Sequence, residues 1–136
     1  LKRLDKIHAC SVGYRDRYLF ELNKVVDDKF KEKLKALDYG KAKLTLKEIP
    51  GIGDKVADCI LLFSLDHLEA FPIDVWIKRV MEKLYFKGKS EPNREIREFA
   101  RNYFGDHAGY AQQYLFHYIR MQEVKDGKKE VTRKRK

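Results

Sequence analysis

The sequence is poor in the residues that interrupt helices or build covalent frameworks. Three prolines and eight glycines in 136 residues leave room for long helices. The two cysteines, Cys10 and Cys59, stand 49 positions apart, so they form neither a CxxC metal pair nor a disulfide framework, and a reduced setting is the default expectation. No apolar run approaches the roughly 18 residues that a transmembrane helix requires. The first residues also lack the layout of a signal peptide.

Apolar and basic residues are abundant instead. Hydrophobic residues make up 43% and aromatic residues 12% of the chain, which is enough for a packed core and argues against general disorder. The length fits one domain or a piece of a larger one. Because no methionine begins the sequence, we expect it to start inside a larger protein. The net charge of +9 favours an acidic partner, with nucleic acid as the first candidate, although charge alone is weak support.

The positive charge is distributed unevenly. The last twelve residues hold seven basic and two acidic side chains, a net of +5, which leaves +4 for residues 1–124. We therefore predict a folded helical domain over residues 1–122 and a basic, flexible tail over residues 123–136. The tail could be a solvated end, could help to hold DNA nonspecifically, or could carry a nuclear-import signal.

The spacing of apolar residues predicts an all-α fold, a helical bundle without strands or internal repeats. Helices are predicted around residues 18–26, 44–49, 56–65, 76–84, 92–104 and 108–118, with a turn and a short helix over residues 27–35. The helix at 56–65 is apolar nearly all round, so we expect it to be buried. Asp74 stands where it can cap the helix that follows it, and Gly105 is expected to end a helix.

The most informative segment is LKEIPGIGDKVAD, residues 46–58. A helix ends at Pro50, a tight turn containing Gly51 and Gly53 follows, and a second helix begins. Glycine permits positive φ and close approach of another backbone, and the N–H groups at the mouth of a helix favour an anion such as phosphate. A bare GxG would be an ordinary turn between helices. The whole pattern, however, is the helix-hairpin-helix signature.

Nineteen residues after Lys55, Asp74 stands in the segment FPIDVW, residues 71–76. With this segment the sequence resembles the helix-hairpin-helix DNA glycosylase superfamily, with its hairpin, its Gly/Pro-rich loop and its catalytic Asp. Within that superfamily it resembles the 8-oxoguanine DNA glycosylases. The matching stretches are residues 13–18, 53–59, 108–112 and 115–116. Family members are larger, so the resemblance implies that this chain corresponds to their C-terminal helical portion, without the N-terminal part.

The resemblance implies a bifunctional enzyme in which Lys55 and Asp74 are catalytic. The Lys55 amine would attack the sugar carbon, expel the base and form a Schiff base. A free lysine has a pKa of about 10.4, so its site must favour the neutral amine. Asp74 would stabilise positive charge on the sugar as the base departs. From the residues alone, Lys55 could be a surface lysine paired with Asp58, and Asp74 a helix cap, a role compatible with catalysis.

Recognition of a damaged base requires its extrusion from the duplex. The resemblance assigns Cys59 and Phe116 to the two faces of the flipped purine and Gln112 to its hydrogen-bonding edge. Cys59 in particular favours oxidised guanine over alkylated bases. The alternatives are that Phe116 belongs to the core, that Cys59 is a buried helix thiol, and that Gln112 is solvated.

Further residues are predicted to contact DNA. Tyr14 and Arg15 match residues that fill the vacated stack and contact the orphaned cytosine, although they could simply be amphipathic side chains at the start of a helix. The other predicted DNA contacts are Gly51, Gly53 and Lys78. One departure from close relatives is Trp76, which stands where they carry a histidine that contacts a phosphate.

The expected partner is double-stranded DNA containing oxidised guanine, with no membrane partner, and the chain is expected to be a monomer located with DNA inside the cell (cytoplasm, nucleoid or nucleus). No cofactor and no metal ligands are predicted, since the cysteine count excludes an iron–sulfur cluster. A monovalent cation at the hairpin is implied by the resemblance only. Two other functions stay open: an alkylpurine DNA glycosylase, whose family keeps the Asp but lacks the Lys, and a noncatalytic helix-hairpin-helix DNA-binding module, which does not need Asp74.

Overall fold

The computed structural model describes the backbone of residues 4–133 and the side chains of residues 5–122. The helices are α1 (Leu4–His8), α2 (Arg15–Val25), α3 (Asp28–Lys35), α4 (Tyr39–Lys47), α5 (Asp54–Ser64), α6 (Val75–Leu84), α7 (Asn93–Phe104) and α8 (Ala108–Arg133). A short 3₁₀ turn, Gly105–His107, leads into α8. Residues 4–133 contain no strand, so the all-α prediction is confirmed. A membrane-spanning helix requires a longer apolar stretch than any helix in residues 4–133 provides.

The chain divides into two compact units, residues 1–66 and residues 67–136. The first unit contains α1 to α5, and the second contains α6 to α8. The predicted boundary at residue 122 falls within α8. Side chains beyond it, and the backbone of the last three residues, lie outside the described residues, so the flexible tail over residues 123–136 stays a prediction.

Aspartate side chains begin several helices. The carboxylate of Asp38 accepts a hydrogen bond from the N–H of Lys41 at 2.9 Å, which starts α4 and holds the pKa of Asp38 below its usual range. Asp74 accepts from the N–H of Ile77 at 2.8 Å and starts α6. Both bonds satisfy N–H groups that have no partner within the helix. The predicted cap at Asp74 is confirmed.

The second unit is built around one apolar core contributed by α6, α7, α8 and the segment before α6. Its buried members are Phe71, Ile73, Ile77, Val80, Met81, Ile96, Ala100, Ala108, Leu115 and Ile119. Full burial of a large aliphatic or aromatic side chain stabilises a fold by about 1.5–3 kcal/mol. Tyr85 packs edge-on against Phe104, with ring centroids 5.6 Å apart, and burial raises the pKa of its hydroxyl. This core holds the start of α6, and with it Asp74.

The first unit has a buried set centred on α4 and α5, with Ala42, Leu46, Ala57 and Leu61 at 2% exposure or less. The expected burial of the helix at 56–65 holds for one face only, because Val56 and Phe63 are exposed at 42% and 60%. In α2, no residue is buried. The apolar spacing in α2 therefore predicted a helix correctly without predicting burial.

Glu82 on α6 accepts hydrogen bonds from the segment that precedes α7. Its Oε1 accepts hydrogen bonds from the N–H of Glu91 and the hydroxyl of Ser90, both at 3.1 Å. The bond from the Glu91 N–H is the main reason that the pKa of Glu82 lies below its usual range. A lowered pKa in the folded state means that the contribution to stability is complete above the unfolded value, about 4.3, and is lost as the pH falls through the folded value.

We therefore expect Glu82→Gln to lower the melting temperature at pH 7. The difference from the unmodified chain should narrow as the pH falls below about 4, where the carboxyl is protonated and resembles the amide. Thermal unfolding followed by circular dichroism from pH 7 to pH 3 measures this, with the exposed Glu98→Gln as a control. A difference that does not change with pH would show that the carboxylate charge is irrelevant.

Candidate functional site

The hairpin between α4 and α5 is a tight turn over residues 49–52. The N–H of Ile52 donates to the carbonyl of Ile49 at 3.1 Å, Pro50 occupies the second position, and Gly51 occupies the third with φ 89°. Proline followed by a residue of positive φ is the arrangement of a type II turn. Gly53 is extended and is the N-cap of α5, with no side-chain cap hydrogen bond. The first N–H groups of α5 are therefore oriented to receive an anion.

Tyr18 of α2 packs directly on the hairpin. A Cβ atom at Gly51 would lie 2.6 Å from the Cγ atom of Tyr18, so only glycine fits. Tyr18 also packs edge-on against Tyr14, with ring centroids 6.4 Å apart, and the guanidinium of Arg15 lies 4.6 Å from the centroid of the Tyr14 ring. Tyr18 thus joins the hairpin to the predicted DNA-contacting pair. Sequence reasoning gave Tyr18 no role, although its i+4 spacing from Tyr14 indicates a shared helix face.

We expect Gly51→Ala to destabilise the first unit by at least about 2 kcal/mol, because positive φ is unfavourable for alanine and the new methyl group collides with Tyr18. The matched control is Gly53→Ala. A Cβ at Gly53 meets nothing within 4 Å, and its φ of −93° is ordinary, so the loss should be about 1 kcal/mol or less. Urea denaturation of both variants measures the difference, and equal losses would contradict this account of the turn.

Lys55 is the second residue of α5 and its side chain is exposed. Asp58, one turn later, is fully buried. Its Oδ1 accepts a hydrogen bond from the hydroxyl of Tyr39 at 2.7 Å and lies 2.7 Å from the Nζ of Lys43. Lys55 is thus a surface lysine, whereas the Asp58 carboxylate is bonded to Tyr39 and Lys43. Cys59 follows on the same helix, is partly buried and is not in a disulfide.

Asp74 lies in the second unit, directly after four buried residues, 70–73. Its carboxylate caps α6 and is itself partly buried. A helix N-terminus carries partial positive charge, which stabilises a carboxylate. The packed segment on one side and the cap on the other give this carboxylate a fixed position, which is what electrostatic stabilisation of a cationic sugar requires.

Gln112 of α8 contacts the same segment. It is 5% exposed, and its Nε2 donates to the carbonyl of Pro72, two residues before Asp74, at 3.0 Å. The alternative of a solvated Gln112 is therefore wrong. Phe116, one turn later, is partly buried against the apolar core, and the guanidinium of Arg120 lies 5.9 Å from its ring centroid.

The other two residues singled out in the second unit lie on α6. The ammonium of Lys78 is 3.7 Å from the Oε1 of Glu82 and 36% of the side chain is exposed. Trp76 packs against the apolar core, and the guanidinium of Arg79 lies 5.1 Å from the centroid of its ring. Trp76 therefore contributes to the packing of the second unit, and its ring also contacts the Arg79 guanidinium.

The predicted site residues are divided between the two units. The first unit holds Tyr14, Arg15, Gly51, Gly53, Lys55 and Cys59, and the second holds Asp74, Lys78, Gln112 and Phe116. Within the first unit, Tyr18 brings the hairpin and Tyr14 together; within the second, Gln112 meets the segment that ends at Asp74. The catalytic and binding roles of these residues stay predictions. In the part of the chain whose side chains are described, no three His, Cys, Asp or Glu residues are grouped to hold a metal ion.

No protein-family model matches the chain. Among curated proteins, it is 38% identical over 127 residues to a probable N-glycosylase/DNA lyase of Methanothermobacter thermautotrophicus, an alignment that covers 93% of this chain and 40% of that protein. Among solved structures, it is similar to the Clostridium acetobutylicum 8-oxoguanine glycosylase/lyase in complex with double-stranded DNA containing cytosine opposite 8-oxoguanine. That match has a TM-score of 0.79 and 36% identity, and it covers 89% of this chain and 42% of the other.

The relatives and solved structures that this chain resembles are helix-hairpin-helix DNA glycosylases. The predicted resemblance is thereby confirmed, and it extends to the 8-oxoguanine branch. The chain is also similar to another superfamily member, the 3-methyladenine DNA glycosylase of Archaeoglobus fulgidus, with a TM-score of 0.72 and 29% identity over 87% of this chain and 40% of that one. The chain therefore spans about two fifths of the length of these relatives.

Proposed function

We propose that this chain is the catalytic helical portion of a base-excision repair glycosylase that removes 8-oxoguanine from duplex DNA and then cleaves the abasic site. The observation that carries the proposal is Lys55 in the first turn of α5, directly after the hairpin, in a chain that also has Asp74 capping α6. An alkylpurine glycosylase of this superfamily would lack the lysine. A noncatalytic module would not need the aspartate.

The proposed chemistry begins at Lys55. Its neutral amine attacks C1′ of the extruded nucleotide, and the bond between C1′ and the base breaks with its electron pair leaving on the base, which is then protonated. The sugar ring opens to a Schiff base on the lysine. Removal of a proton from C2′ then expels the 3′ phosphate, and hydrolysis returns the amine. Covalent catalysis of this type divides one difficult step into easier ones.

Asp74 supports the same sequence of steps. As the base departs, positive charge develops on the sugar, and a carboxylate held in a fixed position stabilises that charge without reorganisation. The hydrogen bond from the N–H of Ile77, at 2.8 Å, holds the Asp74 carboxylate in one orientation. Asp74 also assists the proton transfers of the lyase step in this proposal.

From the family resemblance we propose that Cys59 and Phe116 each contact a face of the damaged base and that Gln112 contacts its polar edge. The amide nitrogen of Gln112 is already bonded to Pro72, and its Oε1 accepts a hydrogen bond from the side chain of Gln113. Gln113 is exposed, so an N–H group of the base could replace it as the donor. The Oε1 of Gln112 would then accept a hydrogen bond from the base while its Nε2 remains bonded to the Pro72 carbonyl.

The duplex is proposed to be held by Tyr14 and Arg15 at the vacated stack, by the N–H groups after Gly51 and Gly53, and by Lys78. Tyr14 is 73% exposed, which suits insertion into a base stack. From the family resemblance we also propose a monovalent cation at the hairpin, a monomeric state and a location with cellular DNA. The Schiff-base chemistry requires no other cofactor.

The function is tested by measuring base release and strand cleavage under single-turnover conditions. Matched duplexes carry 8-oxoguanine opposite cytosine, a methylated purine, or undamaged guanine. We expect release of 8-oxoguanine with cleavage at the same position and no reaction with undamaged DNA. Preferred release of the methylated purine would favour the alkylpurine alternative. Binding of all three duplexes without release would favour the noncatalytic module, whose affinity should fall steeply with salt.

A further inference from the structure

Two ion pairs connect the helices on either side of the hairpin. On α4, Lys43 and Lys47 are four residues apart and therefore share one helix face. On α5, Asp54 and Asp58 are likewise four residues apart. The Nζ of Lys47 is 2.8 Å from the Oδ1 of Asp54, and the Nζ of Lys43 is 2.7 Å from the Oδ1 of Asp58. We call these four residues the ion-pair ladder, with Lys47–Asp54 as the outer pair and Lys43–Asp58 as the inner pair.

The inner pair is buried and further bonded. The Lys43 side chain is 11% exposed and that of Asp58 is not exposed at all. The hydroxyl of Tyr39 donates to Asp58 at 2.7 Å and accepts from Lys43 at 3.1 Å. Replacing a buried ion pair by apolar residues of similar volume is often neutral or stabilising, because the charges must be desolvated. Stabilisation of the fold is therefore a weak explanation for the presence of this ion pair. Its hydrogen bonds are directional, and they fix the register between α4 and α5.

The outer pair differs in burial. The side chains of Lys47 and Asp54 are 39% and 48% exposed, and a surface ion pair contributes little to stability. It is nevertheless connected to the inner pair, because Lys43 also approaches Asp54 at 3.9 Å. The first turn of α5 is thus joined to α4 at two successive levels.

We propose that the ion-pair ladder positions Lys55, an inference that rests on the proposed role of Lys55 as the nucleophile. Lys55 lies between Asp54 and Asp58 in the first turns of α5. Both of these carboxylates are bound to α4, so α5 cannot rotate or slide along α4 without breaking an ion pair. A displacement of about 1 Å at a reacting group can cost about 100-fold in rate. The four ladder residues are positioning residues that act through the backbone of α5.

A competing explanation is that the lysines of α4 simply attract DNA. The two accounts predict opposite effects for Asp54→Asn. Removing a carboxylate raises the net charge, so simple attraction predicts equal or faster reaction with DNA. Positioning predicts slower reaction, because the outer pair is lost. The outer pair is the suitable target because its removal should leave the fold intact.

The experiment compares Lys47→Met, Asp54→Asn and the conservative Lys47→Arg in the full 136-residue chain. Lys41→Met is the control, since it removes the same charge from the same helix and breaks only the Lys41–Asp38 ion pair, at 2.9 Å. The rate of formation of the borohydride-trapped adduct with an abasic-site duplex is measured as a function of protein concentration. Melting temperatures and amide exchange at Ala57, Asp58 and Cys59 are measured on the same samples.

We expect Lys47→Met and Asp54→Asn to lower the saturated trapping rate about tenfold without a large change in melting temperature. Lys47→Arg should retain most of the trapping rate of the unmodified chain, and Lys41→Met should retain all of it. The protein concentration that gives half of the saturated trapping rate should change equally in Lys47→Met and Lys41→Met. Amide exchange should accelerate in Lys47→Met and Asp54→Asn and not in the control.

The inference is overturned if both outer-pair variants react at the unmodified rate, or if Lys41→Met is slowed as much as Lys47→Met. A wild-type chain that forms no adduct contradicts the proposed function instead. In that case, the amide-exchange rates alone test whether the ion-pair ladder fixes the first turns of α5. Faster exchange at the three amides in the outer-pair variants than in the control supports the fixing of the first turns of α5, and equal exchange contradicts it.

Discussion

Substitution of Lys55 by glutamine is expected to abolish the covalent adduct that borohydride traps between this chain and an abasic-site duplex. The amide of glutamine is similar in size but has no nucleophilic lone pair, so no Schiff base can form. Loss of a nucleophile typically costs several orders of magnitude, and we expect trapping to fall at least about 1,000-fold. Denaturing gel electrophoresis of the labelled duplex after borohydride treatment measures the adduct.

The control for this variant is Lys31→Gln, which removes the same charge from an exposed position on α3. Lys55 is exposed, so neither substitution should change the free energy of unfolding by more than about 0.5 kcal/mol. Lys31→Gln should leave the adduct nearly unchanged. An adduct of undiminished yield in Lys55→Gln would assign the Schiff base to another amine.

Asp74→Asn is expected to separate the capping role of this residue from its proposed catalytic role. Asparagine caps a helix about as well as aspartate does, so the hydrogen bond to the N–H of Ile77 and the start of α6 should survive. The negative charge is lost, and with it the stabilisation of the cationic sugar, so the rate of release of 8-oxoguanine should fall about 100- to 1,000-fold. Single-turnover base release and thermal unfolding of the same preparation measure both effects.

Two further variants check this separation. Asp74→Ala removes both the charge and the cap, so it should lower activity and also cost about 1 kcal/mol of stability. Asp38→Asn makes the same exchange at the cap of α4, where no catalytic role is proposed, and should leave base release nearly unchanged. If Asp74→Asn releases the base at the unmodified rate, the carboxylate has no electrostatic role in the reaction.

Much of the fold followed from the sequence because its helices begin and end at recognisable residues. Asp74 was predicted to cap α6 and does so, and Gly105, with φ 60°, ends α7. The start of α4 was missed, since Tyr39 begins it rather than Leu44. The cap at Asp38 carries the signal for that start, whereas the buried Lys43 breaks the apolar pattern that a periodicity argument uses.

The candidate site was predictable where a motif specifies it and unpredictable where distant contacts do. The hairpin, Lys55 and Asp74 were identified from local sequence. The fit of Tyr18 against Gly51 was not, because it depends on packing between segments 33 positions apart. The burial of Gln112 depends on the carbonyl of Pro72, 40 positions earlier. The residues proposed to carry the chemistry can thus be identified from short sequence motifs. The burial and contacts of each side chain depend on tertiary packing, which the motifs do not specify.

In the proposed reaction, Lys55 becomes covalently attached to the sugar of an oxidised guanine nucleotide. The direct measurement is to treat the unmodified chain and an 8-oxoguanine–cytosine duplex with borohydride, digest the adduct, and locate the modified residue by mass spectrometry. The chain contains many other lysines, so the position of the modification is informative. We expect attachment at Lys55. Attachment at another lysine or at the terminal amine, or the absence of any adduct, would contradict the proposed reaction.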